Sequence, residues 1–182
     1  MKKKINYKYL VLLTYTPRLD VNLKEYEEWL VKVDNPFFNS IKEVAHYSNW
    51  KVVSKSIKEK FNYFDFLCFE TLSDFNKAWN SKELNTFTRE WRRLWGQAPD
   101  SNKLHLNAKV YLLKKLDIEF LELENFVEVK FLKKKNTVSN VKGTWQLVES
   151  LRDESNFNLV ETNFIKTLSE TPDEITGKII AG

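Results

Sequence analysis

The sequence predicts an α+β fold: a ferredoxin-like β-α-β-β-α-β unit, whose antiparallel sheet carries its helices on one face, followed by a C-terminal α/β extension. Three observations lead there. Short apolar runs of strand length, rich in β-branched and aromatic residues, recur at 9–16, 44–54, 61–70 and 104–113. Two amphipathic helical stretches lie between them, after Asn22 and after Thr71. The order in which strands and helices alternate is that of the split β-α-β unit. The unit is expected over residues 1–116, with 117–182 forming the extension or a degenerate second half-unit; no residue-by-residue repeat links the two.

The first strand, YLVLLTYT at 9–16, is stopped by Pro17. From Asn22, an N-cap with Glu25 three residues on, the residues Leu23, Tyr26, Trp29, Leu30 and Val33 keep helical spacing. Asn35-Pro36 should end that helix, because a residue before proline is pushed toward extended backbone. The runs VAHYSNWKVVS and FNYFDFLCFE read as two antiparallel strands joined by a polar, Lys-rich connection. A second helical stretch opens at Thr71, runs past Trp79, Trp91 and Trp95 to Gly96, and breaks once at Asn80-Ser81. In the remainder the pattern predicts a strand at 125–133, a polar link at 134–143, a helix at 144–153 and a strand at 158–167. The tail at 172–182 is expected to be poorly ordered unless docked. One sheet face would be a large apolar patch, so a partner sheet or the remaining chain must cover it.

At 182 residues the chain has room for one core without disulfide staples, and its single Cys68 reads as a buried, inert thiol in a reducing, cytoplasmic setting. His46, His105 and Cys68 exclude Cys-rich zinc modules, and no structural metal is expected. A net charge of +4 comes from 29 basic residues set against 25 acidic ones. The Lys2–Lys4 and Lys133–Lys135 clusters lack interleaved stacking aromatics, so nucleic acid is not an expected partner. No stretch approaches the ~18 apolar residues of a membrane span, and none matches a secretory leader. No G-x-G-x-x-G, Walker lysine, H-E-x-x-H or G-x-S-x-G pattern is present.

The stretch WLVKVDNPFFNSIKEVAHYSNWKV, with FNYFDFLCFE and the Trp-containing helix behind it, resembles the REDY-like HapK family of the dimeric α+β barrel superfamily. The resemblance covers the first ~115 residues and is carried by Trp29, Asp34, Asn35, Pro36, Phe37, Phe38, His46, Tyr47, Trp50, Tyr63, Asp65, Trp91, Trp95 and Gly96. It implies a homodimer of two ferredoxin-like units packed sheet to sheet, each with a pocket between sheet and helices. It further implies a role in bacterial natural-product pathways such as that of prodigiosin. The superfamily includes polyketide cyclases, cofactorless monooxygenases, lyases and haem-degrading enzymes, and fold alone does not choose among them. The C-terminal ~65 residues depart from the short single-unit pattern.

The aromatic content, at 14%, is generous for a soluble domain and points to an enclosed flat or apolar ligand. Trp29, Phe38, Trp50, Trp91 and Trp95 are the candidate walls, although Trp91 and Trp95 at i and i+4 equally describe a core-facing stripe. His46 is the first candidate acid/base group, if its strand face looks toward the helices; the alternative is a hydrogen-bonded His at a sheet surface or dimer interface. Asp65, a carboxylate between Phe64 and Phe66, is the second, its pKa raised by burial; a structural hydrogen bond is the competing reading. Tyr63, on the same face, is a candidate orienting group. Arg92 and Arg93 could reach an acidic substrate group or be solvated. Three functions follow: a cofactor-independent pathway enzyme that promotes cyclisation, condensation or proton transfer on a small hydrophobic or aromatic intermediate; a non-catalytic carrier of it; or haem binding through His46, or cofactorless oxygenation.

Overall fold

The computed structural model describes residues 7–54, 61–96, 108–116, 124–133, 143–152, 155–168 and 175–182. His105, the Lys2–Lys4 cluster and most of the polar link at 134–143 lie outside them. Among the described residues the chain forms eight strands: β1 (Tyr9–Tyr15), β2 (His46–Ser54), β3 (Tyr63–Phe69), β4 (Lys109–Lys115), β5 (Phe126–Leu132), β6 (Gly143–Arg152), β7 (Leu159–Ile165) and β8 (Ile175–Ala181). All pair antiparallel, in the closed order β1-β3-β2-β8-β5-β7-β6-β4.

This overturns the expected open ferredoxin-like α+β sheet. The sheet edges that a second copy would have covered are paired within the chain, β2 with β8 and β4 with β6. Closure leaves no strand with a free row of N–H and C=O groups. The strands of residues 117–182 are therefore half of a barrel wall. Their order, β8-β5-β7-β6, repeats β4-β1-β3-β2 of the first half.

Two local expectations change with it. The predicted helix at 144–153 is β6: Trp145 is fully buried inside the barrel with Leu147 packed against that core, while Gln146 and Val148 are exposed, so a period of two prevails over helical spacing. The tail is the docked case of its expectation, because β8 inserts between β2 and β5.

The barrel interior is filled by side chains, as an eight-stranded barrel of this kind allows. Trp50 stacks on Phe64 at 6.1 Å and Tyr7 on Trp145 at 5.5 Å between ring centroids. Both buried indole N–H groups donate to hydroxyls, Trp50 to Ser48 and Trp145 to Thr162. Gly177 of β8 lies under Phe64 and Trp50, where a Cβ would meet the Phe64 ring.

The helices lie outside, over the first half of the barrel. They are α1 (Leu23–Trp29), α2 (Asn35–Ser40), α3 (Leu72–Trp79) and α4 (Lys82–Trp91), the last two separated at Asn80-Ser81 as the sequence predicts. Phe38, Phe75, Ala78 and Leu84 pack onto Val11, Tyr47, Leu67 and Leu112 of the sheet's outer face. All seven residues of β3 are consequently buried, the even positions by the barrel core and the odd ones beneath the helices.

Asn35-Pro36 does not end the first helix. A wide π-helical turn, Leu30–Asp34, joins α1 to α2, with the Asn35 N–H bonded to the Leu30 carbonyl five residues back and Asn35 itself helical (φ −61°, ψ −47°). Pro36 then sits in the first turn of α2.

Candidate functional site

The buried residues of this helical run are Tyr26, Leu30, Asp34 and Phe38, four apart each time. On a regular α-helix such a series drifts by about 40° per step, or about 120° over three steps. The wide turn underwinds the helix and keeps all four aimed at the sheet, so that Asp34 reaches the polar positions of β2 and β3. An inserted turn of this kind is frequent at functional sites.

Two strand residues, Tyr47 and Asn49, meet Asp34 and tie it to Asp65, which Tyr15 also reaches. Tyr47 Oη lies 2.8 Å from Asp34 Oδ2 and 2.9 Å from Asp65 Oδ2. Asn49 Nδ2 lies 2.9 Å from Asp34 Oδ2 and 3.0 Å from both Asp65 Oδ1 and Tyr47 Oη. Tyr15 donates to Asp65 Oδ1 at 3.1 Å. Asn35 donates to Asn49 Oδ1 at 3.2 Å and so orients its amide, and Asn39 accepts the Tyr47 backbone N–H at 2.9 Å. No cation pairs with either carboxylate among the described residues.

Proton counting decides the state of the cluster. Tyr47 has one hydroxyl proton and two carboxyl oxygens in hydrogen-bond range. With both carboxyls ionised, one of these contacts would set lone pair against lone pair. A single carboxyl proton satisfies both: one carboxylic acid donates to Tyr47 Oη, and Tyr47 donates to the other, ionised carboxylate. Burial pushes Asp34 up to about 6 and Asp65 well above the usual carboxylate range, the Asp34 charge adding to the rise at Asp65. The pair thus holds on to a proton well above the usual carboxylate range. Burial also holds the Tyr15 and Tyr47 phenols neutral.

This cluster lines one end of a cavity of about 320 Å³ between sheet and helices. Phe38, Trp79, Leu84, Phe87 and Trp91 form its apolar wall, and Arg92, Lys109 and Arg152 line it as well. Strand register orders the floor. Asn49 pairs with Asp65, Asp65 with Leu13, Leu13 with Val110 and Val110 with Arg152, so five strands place these residues in one row on the outer face. Three strand spacings separate Asp65 from Arg152, about 14 Å along the sheet.

The residues singled out from sequence divide accordingly. Asp65, Phe38 and Trp91 line the cavity. Trp29 and Trp95 back its wall, Trp29 stacking on Phe87 at 5.6 Å and Trp95 packing on Tyr26 at 5.3 Å. Tyr63 shares the face of Asp65 but donates to Glu27 Oε1 at 2.9 Å, which Lys51 also contacts. Trp50 is in the barrel interior, and His46 lies on that same strand face, opposite Cys68 and across the sheet from the cavity. No histidine lines the cavity among the described residues, so a haem held through His46 finds no ligand there.

Sequence reasoning passed over Asp34 as a helix terminator and left out Tyr15, Asn49 and Arg152. The available signal was Asp34 as third member of the series spaced by four, together with Tyr47 and Asn49 alternating on one strand face. Among the described residues no group of three His, Cys, Asp or Glu side chains is placed to hold a metal ion, and no helix is long and apolar enough to cross a membrane.

The sequence model of the family described as REDY-like protein HapK matches residues 10–101, half of the chain. That segment contains Tyr15, Asp34, Tyr47, Asn49 and Asp65 but not Arg152. No curated protein matches the sequence. Among solved structures, an anthrone oxidase-like protein is similar over 96% of this chain and 91% of its own, with TM-score 0.56 and 8% identity, a likeness of fold. An ethyl tert-butyl ether d (EthD) family protein from Bacillus halodurans C-125 aligns over 58% of this chain and 95% of its own, with TM-score 0.45 and 9% identity.

Proposed function

The chain belongs to the REDY-like HapK family, and we propose that it is an acid/base enzyme acting on a small aromatic molecule held in the cavity between sheet and helices. The observation that carries this reading is the Asp34–Tyr47–Asp65 cluster: two buried carboxyls, one bridging hydroxyl and, among the described residues, no paired cation, lining a largely apolar cavity. Such a pair holds one proton near neutral pH and can deliver or accept it where water is scarce. In the delivering direction the Asp65 O–H bond breaks as a bond from that proton to a carbon or oxygen of the ligand forms. In the accepting direction the proton leaves the ligand for the ionised carboxylate. Tyr47 and Asn49 hold the two carboxyls close enough to exchange it. A step in small-molecule biosynthesis is the setting that the family resemblance implies.

The test uses 2-tetralone, a two-ring aromatic carbon acid. Its deuterium uptake in D₂O is followed by NMR with the wild-type protein and with Asp65→Asn. Wild-type protein should accelerate the exchange over buffer, and the substitution should remove ~100-fold or more of that acceleration, the usual share of a positioned acid or base. Equal rates with both proteins would overturn the proposal. Should Asp65→Asn still bind the ketone while exchange is absent in both, the cavity is that of a carrier.

A further inference from the structure

The cavity lining carries charge that the acid/base reading does not use. Arg92, in the wide turn (Arg92–Gly96) that follows α4, and Arg152, the last residue of β6, both line it. Neither has a carboxylate partner among the described residues, whereas neighbouring Arg93 is paired with Glu90 and Arg18 with Asp20. Arg92 and Arg152 line the one cavity, and Arg152 is driven below its ordinary proton affinity by burial first and by the Arg92 charge second. Two like charges brought to one cavity by chain segments 60 residues apart in sequence, with no paired anion among the described residues, form an incomplete electrostatic arrangement. A carboxylate or phosphate oxygen between them would complete it with charge-assisted hydrogen bonds.

Strand register gives the subsite its distance. Arg152 ends the row Asp65–Leu13–Val110–Arg152, in which Leu13 and Val110 supply an apolar floor between acid and base. We propose that the Arg92–Arg152 end is an oxyanion subsite, so that the ligand is an aromatic body bearing a carboxylate- or phosphate-type group at the end away from Asp65. The proposal rests on the reading of this cavity as the ligand site and adds the class and orientation of the ligand. An anion anchored at Arg152 lies about three strand spacings from the proton-bearing carboxyl, which selects an elongated molecule with its reacting atom at the uncharged end.

The experiment is calorimetric titration with 2-naphthoate, 2-naphthyl phosphate and uncharged 2-naphthamide, on wild-type protein and on Arg92→Gln, Arg152→Gln and the double variant. Both arginines lie at the cavity rim, and circular dichroism verifies that each variant folds. At least one anion should bind wild-type protein ~10-fold or more tighter than the amide, as expected for a charge-assisted anchor, and the stronger anion identifies the group. The double variant should lose that preference and keep its affinity for the amide. Equal affinities in the wild type, binding of neither anion, or a preference that survives in the double variant would each overturn the proposal. Asp65→Asn separates the two readings: loss of proton exchange with the anion preference intact supports both, while an anion preference without exchange in the wild type removes only the acid/base function.

Discussion

β3 presents Phe64, Phe66 and Cys68 to the barrel interior and Tyr63, Asp65 and Leu67 to the helices, so one strand serves two differently built regions. Inside, rings interlock: Phe66 touches Trp50 at 5.9 Å, Phe64 at 5.4 Å and Phe164 at 6.2 Å between centroids. Outside, the helices stand off far enough to leave a cavity, and the groups at its end are carboxyls and phenols. The interior gains dispersion and hydrophobic stabilisation from close packing and leaves no room for a ligand. The outer region gives up packing and holds two buried carboxyls joined through one tyrosine, an arrangement with a stability penalty. The close-packed core and the cavity thereby lie on opposite faces of the same strands.

The comparison breaks most readily from the inside. Phe66→Ala should lower unfolding free energy by about 3–5 kcal/mol in urea denaturation, the usual loss for deleting a buried ring, while the folded fraction still binds 2-tetralone with unchanged affinity. A shift in that affinity would mean that the two faces are coupled.

The outer face is tested by pH. The folded-state pKa of Asp34, about 6, and the raised pKa of Asp65 both exceed the ~3.9 of an exposed aspartate, so across this window the folded chain binds more protons than the unfolded one. Their contribution to stability is full below about pH 4 and is lost as pH rises through 6 and above. Replacing Asp34 by Asn should therefore raise stability relative to wild type as pH goes from 4.5 to 7.5, by a difference on the order of 2 kcal/mol in thermal or urea unfolding. A pH-independent difference between the two proteins would show that the pair does not share a proton.

The smallest effect concerns the cavity wall. Ser81 caps α4 by accepting the Leu84 N–H at 3.1 Å, and Leu84, Phe87 and Trp91 of that helix line the cavity. Ser81→Ala should lower stability by about 1 kcal/mol and weaken ligand binding, with no change in the pH profile.

Much of the first half was legible as sequence. The strands at β1, β2 and β3, the amphipathic helix after Asn22 and the break at Asn80-Ser81 follow from periodicity and capping, which are local. Asp65 stood out for the same reason, as a carboxylate in an otherwise aromatic strand. Asp34 did not, because a proline two residues later makes a helix end the simplest local reading, and only packing against Tyr47 and Asn49 favours the wide turn that keeps the helix going. The stretch 144–153 failed for a related reason: its apolar residues suit either period until pairing with β4 and β7 chooses the strand.

By itself the sequence determined which segments are extended or helical in the first half, that the strands there are buried on both faces, and that Asp65 is out of keeping with its neighbours. Tertiary structure alone decided that β8 and β6 close the sheet within one chain, that Asp34 meets Asp65 across a shared tyrosine, and that Arg92 and Arg152 line the same cavity. The physical reason is range. Propensity and alternation act over a turn or a strand, whereas closure, proton sharing and charge juxtaposition depend on register between segments tens of residues apart, which no local pattern encodes.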